Sequence, residues 1–248
     1  MSAYGALARY YDLFTRPADC ERMGRKHLRL LRQSGAESGL LLDLCCGTGS
    51  LSLFFAGQGF DVTGVDASQD MLSAAKDKAE AAGVELLLVH QRLERLDLYG
   101  TYDAAVCALD GINHLPSLKA VDAAFARIAL FLRPGAPFVF DLHTERRFTE
   151  DYGQSAYTLE TEDVYCVWQN DYDPRARRNK ASFALFERRR DGLYIRYDDT
   201  VIERYFAPEE VCERLSAHGF RITGVYGQSA SRRPTPADKR VFIAARRL

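Results

Sequence analysis

The strongest constraint on the fold is the stretch of residues 40–50, which has the sequence Leu-Leu-Leu-Asp-Leu-Cys-Cys-Gly-Thr-Gly-Ser. An apolar run of strand length ends at Asp43, a turn with Gly47 and Gly49 follows, and a helix then begins. A second apolar run at 61–65 ends in Asp66. In an open α/β sheet, such glycines let backbone approach a ligand, and a carboxylate after the second strand accepts the ribose hydroxyls. The spacing therefore predicts a nucleoside site.

The composition places the chain among ordinary soluble proteins. Its 248 residues are 47% hydrophobic and 27% charged, which is typical of a globular domain with a substantial core. A net charge of −1 gives no general attraction to nucleic acid or to an anionic membrane, so neither partner is expected. No apolar run could span a bilayer, and no signal peptide is visible. The six cysteines are scattered without a C-x-x-C pair, which predicts free thiols and a cytoplasmic location.

Strands and helices alternate through the first part of the chain. Strands are predicted at 40–45, 61–65, 85–90, 102–108 and 137–141, and helices at 1–34, 50–58, 68–82 and 117–132. This alternation is typical of a doubly wound, mostly parallel sheet with helices on both faces.

The pattern changes after Asp141. Strands at 164–168, 181–186 and 193–197 are joined by turns, which predicts an antiparallel β insertion. A helix at 208–218 and strands at 221–226 and 241–245 then return to the first pattern. We therefore expect one α/β domain from residues 1–150 and 207–248, with an N-terminal helical cap, and a β lid or insertion at 151–206 before the last helix.

The stretch 43–49 resembles the first motif of the class I S-adenosylmethionine-dependent methyltransferases, Asp/Glu-x-Gly-x-Gly-x-Gly. Gly47 and Gly49 match its second and third glycines, and Cys45 lies at the position of the first. The resemblance implies a seven-stranded Rossmann-like sheet. It also implies that Asp43 reaches the methionyl ammonium of the cofactor and that Asp66 binds the ribose diol.

The resemblance also assigns residues to the adenine end of the cofactor. Ala67 follows the ribose acid, and Met71 lies where an apolar side chain commonly packs on adenine. Many relatives carry an aspartate for the adenine amino group at the position of Arg92, and arginine accepts no hydrogen bond. Either Gln91 or a backbone carbonyl reads that amino group, or packing and backbone contacts hold the adenine.

The chemistry is expected near residues 107–115, at the carboxyl end of the fourth strand. The resemblance puts Ala108 near the sulfonium and the acceptor. Methyl transfer by in-line displacement needs alignment and a dry pocket, and it needs a base only if the acceptor arrives protonated. Asp110, His114 and His143 are candidate catalytic residues by position, although His114 could instead cap a helix and His143 could be structural. Nothing in the sequence calls for a metal.

Two outer segments also resemble parts of small-molecule methyltransferases. Residues 4–12 are similar to a Tyr-x-x-x-Ala-x-x-Tyr-Asp opening whose helix closes over the cofactor, so Tyr10 or Tyr11 is a candidate contact. The insertion resembles a lid that begins as residues 168–173 do here. A surface for a homodimer is the alternative interpretation of its aromatic strands.

The sequence thus predicts a methyltransferase that uses S-adenosyl-L-methionine, releases S-adenosyl-L-homocysteine and acts on a small-molecule acceptor. The main alternative is a catalytically silent cofactor-binding module that serves as a regulatory or partner subunit. A nicotinamide oxidoreductase is disfavoured, because Ser52 replaces the third glycine of the dinucleotide fingerprint. The acceptor and the choice among N-, O- and C-methylation stay open.

Overall fold

The computed structural model describes residues 5–14 and 17–248. The main sheet contains β1 (Gly39–Leu44), β2 (Phe60–Asp66), β3 (Leu87–His90), β4 (Ala104–Cys107), β5 (Pro137–His143), β10 (Phe220–Tyr226) and β11 (Arg240–Arg247). Their order is β10-β11-β5-β4-β1-β2-β3, and β11 runs antiparallel to both of its neighbours. The predicted doubly wound, mostly parallel seven-stranded sheet is confirmed.

Helices cover both faces of this sheet. They are α1 (Tyr11–Phe14), α2 (Pro17–Gln33), α3 (Ser50–Ala56), α4 (Gln69–Ala82), α5 (Leu118–Leu130) and α6 (Pro208–Ala217). The hydroxyls of Ser68 and Ser117 accept hydrogen bonds from the first turns of α4 and α5, and Pro208 begins α6. Ser68 and Ser117, which the sequence predicted as the first residues of helices, are therefore the N-caps of α4 and α5.

The central strands are buried on both faces, and their side chains alternate between two cores. Leu42 and Phe140 pack with α5 and α6, whereas Leu41 and Val139 pack with α2 and α3. Side chains along a strand point to opposite faces in turn, so a continuous apolar run fills both cores at once. Because both faces of these strands are packed, the strands are held in a single alignment. The loops after β1, β2 and β4 therefore meet at one edge of the sheet.

The insertion forms a separate four-stranded antiparallel sheet, which we name the lid. It contains β6 (Ala156–Glu160), β7 (Val164–Asp173), β8 (Arg178–Arg188) and β9 (Tyr194–Arg204), paired in that order. The sequence did not predict β6, an edge strand whose residues are nearly all exposed and show no apolar alternation. The three predicted strands are longer than expected, because their ends extend beyond the apolar residues.

The expectation of one helix over residues 1–34 is wrong in detail. A 3₁₀ turn at Ala6–Tyr10 leads into the short α1, and a new helix starts at Pro17. Proline lacks the backbone N–H and favours the first position of a helix, so it begins α2 rather than continuing α1. Residues 1–4, which include the aromatic Tyr4 of the opening motif, lie outside the described part of the chain.

The described N-terminal residues 5–14, which we name the cap, pack on the lid. Leu7 is buried in an apolar cluster with Val201 and Phe183 of the lid, and the Phe14 ring meets the rings of Phe183 and Trp168 edge to face. The cap and the lid therefore share one hydrophobic cluster. Among the helices in the described ranges, none is both long and apolar enough to cross a membrane.

Candidate active site

A cavity of about 450 Å³ lies at the carboxyl ends of β1, β2 and β4. Its floor is formed by the loops that follow these strands. Its roof includes Tyr11 from the cap and Thr200, Val201 and Ile202 from β9 of the lid. Ligands of open α/β sheets bind in this crevice, where the strand order reverses.

The structure brings most of the predicted cofactor residues together in this cavity. Those that line it are Tyr11, Asp43, Cys45, Gly47, Asp66, Ala67, Met71, Gln91 and Ala108. Gly49 is not among the lining residues. It has a φ of +73°, and a Cβ placed on it would lie 2.9 Å from the Cβ of Ala75, so glycine lets the turn pass close to α4. Of the two candidate tyrosines, Tyr10 belongs to the apolar cluster between cap and lid.

The Asp66 carboxylate ties the glycine turn to the start of α4. Its Oδ2 accepts the N–H of Gly47 at 2.9 Å, and its Oδ1 accepts the N–H of Ser68 at 2.8 Å. Burial raises the pKa of this carboxyl, and the two backbone hydrogen bonds oppose the rise. Because each carboxylate oxygen has two acceptor sites, both oxygens can still accept a hydroxyl from the cavity.

Asp43 is only 2% exposed, and Ser52 holds its orientation. The Ser52 hydroxyl donates to Oδ2 of Asp43 at 2.6 Å. Burial raises the pKa of Asp43 to about 7, while the hydrogen bond from Ser52 opposes the rise. Ser52 stands where a dinucleotide site has its third glycine, so the departure from that fingerprint supplies a partner for the acid. Sequence reasoning missed this role.

The segment after β3 is closed by its own hydrogen bonds. The Gln91 amide donates to the Asp97 carbonyl at 2.9 Å and accepts the Asp97 N–H at 2.8 Å. Arg92 pairs with Glu94 at 2.9 Å, and both side chains line the cavity. The amide of Gln91 is thus engaged within its own loop, and Glu94 is a lining carboxylate that sequence reasoning did not single out.

The loop after β4 begins with an unusual backbone, which we name the elbow. Leu109 and Asp110 both adopt left-handed conformations, with φ of +55° and +56°. Their N–H groups donate to the two oxygens of Asp141 at 2.9 and 3.0 Å. A left-handed residue other than glycine costs roughly 1–2 kcal/mol, and the buried Asp141 carboxylate offsets this strain. The glycine of this loop, Gly111, follows the two left-handed residues and occupies neither position, so the sequence does not mark Leu109 and Asp110 as left-handed.

A buried ionic cluster lies behind the elbow. Arg240 donates to Asp110 at 2.8 Å and also pairs with Asp141. His143 lies between Asp110, at 3.4 Å, and Glu203 of the lid, at 3.6 Å. Burial alone would raise the pKa values of both acids. His143 and Arg240 instead hold the pKa of Asp110 below its usual range, and Arg240 and His27 do the same for Asp141. Asp110, His143 and Glu203 are close enough to share a metal ion, but the Arg240 guanidinium contacts both Asp110 and His143.

The three catalytic candidates occupy different depths. His114 lines the cavity, and its Nε2 lies 3.6 Å from Oδ2 of Asp110. Asp110 is buried behind it, and His143 is buried in the ionic cluster, away from the described cavity wall. Asn113 accepts the N–H of His143 at 3.0 Å and donates to the carbonyl of Arg204 at 2.7 Å, which fastens the lid to the loop after β4.

A second set of contacts fastens the cap to the glycine turn, and we name it the latch. Asp12 of α1 accepts the hydroxyl of Thr48 at 2.7 Å. Lys78 of α4 donates to Thr48 at 3.0 Å and to Ser50 at 2.7 Å, and it forms an ion pair with Asp12. Because Thr48 and Ser50 line the cavity, the latch lies at its rim.

Comparisons with known proteins agree with this geometry. A family model described as a methyltransferase domain matches residues 41–135. The YqeM protein of Bacillus subtilis, which is named as a methyltransferase, is 31% identical over 213 residues, covering 85% of each chain. The chain belongs to the class I S-adenosylmethionine-dependent methyltransferases. A methyltransferase structure from Clostridium acetobutylicum has the same fold, with a TM-score of 0.86, 22% identity and 98% of each chain covered.

One further relative of this methyltransferase has a name that specifies a substrate. The glycine/sarcosine N-methyltransferase of Parasynechococcus marenigrum is 32% identical over 152 residues, which are 60% of this chain and 52% of that protein.

The cofactor of this methyltransferase is S-adenosylmethionine, and the cavity fits its polar groups. Among the described residues Asp43 has no ion-pair partner from Lys or Arg, so the methionyl ammonium would supply one. A Cβ on Gly47 would meet no atom within 4 Å, so the space beside this turn is open to the cofactor.

Proposed function

We propose that this methyltransferase transfers the methyl group of S-adenosylmethionine to a small-molecule acceptor. The observation that carries the proposal is the roof of the cavity, which Tyr11 of the cap and three residues of β9 provide. A cavity of about 450 Å³ under such a roof suits a cofactor and a small acceptor. The name of the glycine/sarcosine relative is consistent with an acceptor of this size.

In this proposal the two strand-end acids hold the cofactor from opposite sides of the glycine turn. Asp66 accepts the ribose hydroxyls, and Asp43 pairs with the methionyl ammonium. S-adenosylmethionine supplies a methyl carbon already activated by the positive sulfur. The residues after β4 then enclose the reacting groups, and the lid excludes water, so that proximity and alignment provide most of the rate.

Calorimetry and an acceptor screen test the proposal in sequence. Calorimetry is expected to detect binding of S-adenosylmethionine and S-adenosylhomocysteine, and absence of both would overturn it. A screen of small molecules, followed by release of S-adenosylhomocysteine, is expected to find turnover. Binding with turnover only on a protein or nucleic acid would overturn the small-molecule acceptor. Binding without turnover on any class would instead favour the silent cofactor-binding module.

The assembly and location of the protein stay predictions. The face of the lid that points away from the cap exposes Tyr165 and Tyr194, and these residues support a homodimer through the lid. Light scattering after size-exclusion chromatography gives the mass directly, and a mass near 27.9 kDa at micromolar concentration contradicts the dimer. The six free thiols support the predicted reducing, cytoplasmic location.

A further inference from the structure

Among the described residues, the acceptor end of the cavity has no lysine or arginine side chain suited to an anionic acceptor. Among the described lining residues, the single lysine or arginine is Arg92, which already pairs with Glu94. Arg92 follows β3, which is three strands from β4 in the sheet and therefore roughly 14 Å away. Of the lining residues that the structure describes, His114 alone could offer a positive charge to a carboxylate or phosphate beside the loop after β4.

Negative charge lies directly behind this end of the cavity. Asp110 approaches His114 from the elbow, and Glu203 approaches the same region from the last strand of the lid. The Glu203 side chain is only 8% exposed, and its Oε2 accepts no hydrogen bond from the described residues. Its contact with His143 is 3.6 Å long, and Arg240 is already engaged by Asp110 and Asp141. A buried carboxylate with so few partners raises the free energy of the folded state unless a cation approaches it.

We propose that the acceptor is a primary or secondary amine that enters as an ammonium ion, and that His114 takes its proton. Asp110 and Glu203 are positioning residues in this scheme, because they act on the acceptor through His114 and through their charge. The inference rests on the proposed function and adds the substrate class and the proton acceptor to it.

The step balances in atoms and charge. The ammonium gives one proton to the imidazole of His114, and the amine nitrogen regains its lone pair. That nitrogen attacks the methyl carbon of S-adenosylmethionine, and the carbon–sulfur bond breaks with its electrons going to sulfur. The products are the methylated ammonium ion, neutral S-adenosylhomocysteine sulfur and a protonated His114, which returns its proton to solvent.

The surroundings of His114 suit this role. Burial lowers the pKa of His114. The hydrogen bond to Asp110 and the negative charges of Glu203, Asp110 and Asp66 raise it by more than burial lowers it, so the net shift is upward. Tyr11 faces the same carboxylates, and burial together with Asp110 and Glu203 raises its pKa, so its phenol stays neutral. The surroundings of His114 therefore favour its protonated form, so its imidazole can hold the proton that the ammonium gives up.

Matched pairs of amines and alcohols test the substrate class. The probes are amino sugars, amino acids and alkyl amines, each compared with the molecule that carries hydroxyl in place of the amino group. Release of S-adenosylhomocysteine is expected with at least one amine and not with its alcohol partner. If alcohols or acids alone are methylated, or if every amine is inert while S-adenosylmethionine binds by calorimetry, the inference is overturned and the proposed function stands.

Variants test the roles of the residues with the best amine. We expect Glu203→Gln to lower kcat/KM by about tenfold and to shift the acidic limb of its pH profile to lower pH, because His114 loses a neighbouring negative charge. Asp110→Asn is expected to shift the limb in the same direction. Glu162→Gln, which changes an exposed lid carboxylate, is the matched control and is expected to change neither quantity.

Titration of His114 by NMR in the complex with S-adenosylhomocysteine gives a readout that needs no acceptor. Its pKa is expected to fall in Glu203→Gln and to stay unchanged in Glu162→Gln. A normal affinity for S-adenosylhomocysteine in Glu203→Gln shows that the variant is folded. An unchanged pH limb together with an unchanged His114 titration overturns the positioning role of Glu203.

Discussion

At the scale of single residues, Asp43 makes the empty cavity sensitive to pH. Its carboxyl titrates near 3.8 in the unfolded chain, and burial raises the folded pKa to about 7. The folded state thus binds this proton more tightly, and the resulting stability is complete below pH 3.8 and is lost as pH rises toward 7. Ionised Asp43 regains a favourable environment only when a cation such as the methionyl ammonium lies beside it.

We therefore predict that Asp43→Asn stabilises the ligand-free protein increasingly as pH rises. The difference in unfolding free energy between variant and wild type should grow between pH 4 and 7, by about 4 kcal/mol at most, and then level off. Urea denaturation at several pH values measures it, with Asp61→Asn on the exposed side of β2 as control. A difference that does not vary with pH would contradict the raised pKa.

Asp66 supports a second prediction at this scale. In Asp66→Asn the side chain keeps one acceptor oxygen, so an amide NH₂ faces one of the N–H groups of Gly47 and Ser68. The turn loosens and one acceptor for the ribose is lost. Calorimetry should show S-adenosylmethionine binding at least tenfold weaker, about 1.4 kcal/mol. The exposed Asp77→Asn in α4 should bind normally, and equal affinities of the two variants would refute the assignment.

At the scale of elements, the cap is fastened by contacts of two kinds. The apolar cluster with the lid holds one side, and the latch of Asp12, Thr48, Ser50 and Lys78 holds the other. The latch contacts the turn that is proposed to bind the cofactor. Opening of the cap and release of the cofactor are thus expected to be coupled.

Asp12→Asn tests this coupling. Asp12 and Lys78 are partly exposed, so loss of their ion pair should change the unfolding free energy by less than about 1 kcal/mol. The dissociation rate of S-adenosylmethionine, measured by stopped flow, should nevertheless rise several-fold. Asp19→Asn, which breaks the exposed pair with Arg22 in α2, is the control. A dissociation rate equal to that of the control would mean that the latch does not hold the cofactor.

The elements also show what the sequence can and cannot predict. Apolar runs placed β1, β4 and β5, because nearly all residues of these strands are buried in one of the two cores. The elbow left no sequence signal, since Asp141 stabilises its left-handed residues from another strand. Ser52 and Glu203 were equally hidden, because their roles depend on partners that the fold brings from distant positions.

At the scale of the whole molecule, the ionic cluster joins the sheet, the lid and α2. Arg240 of β11 contacts Asp141 of β5 and Asp110 of the elbow, and His27 of α2 lies 3.0 Å from Asp141. The charges compensate one another only as a set. Removing a single partner leaves the others buried and unpaired.

Arg240→Met should therefore destabilise the entire fold. We expect a loss of about 3–5 kcal/mol in unfolding free energy, because Asp110 and Asp141 lose their common partner. Arg221→Met, an exposed arginine of the neighbouring β10, should change stability by less than about 0.5 kcal/mol. Urea denaturation followed by circular dichroism measures both, and similar midpoints would show that the cluster is not needed for stability.

The shared cluster of cap and lid can form only late in the synthesis of the chain on the ribosome. Leu7 and Phe14 leave the exit tunnel before their partners, which lie between Val164 and Val201. At a synthesis rate of about 5–20 residues per second, roughly ten seconds or more pass before those partners exist. During that interval the apolar side chains of the cap have no native surface to cover them. The cap therefore cannot reach its native packing before the last strand of the lid has been synthesised.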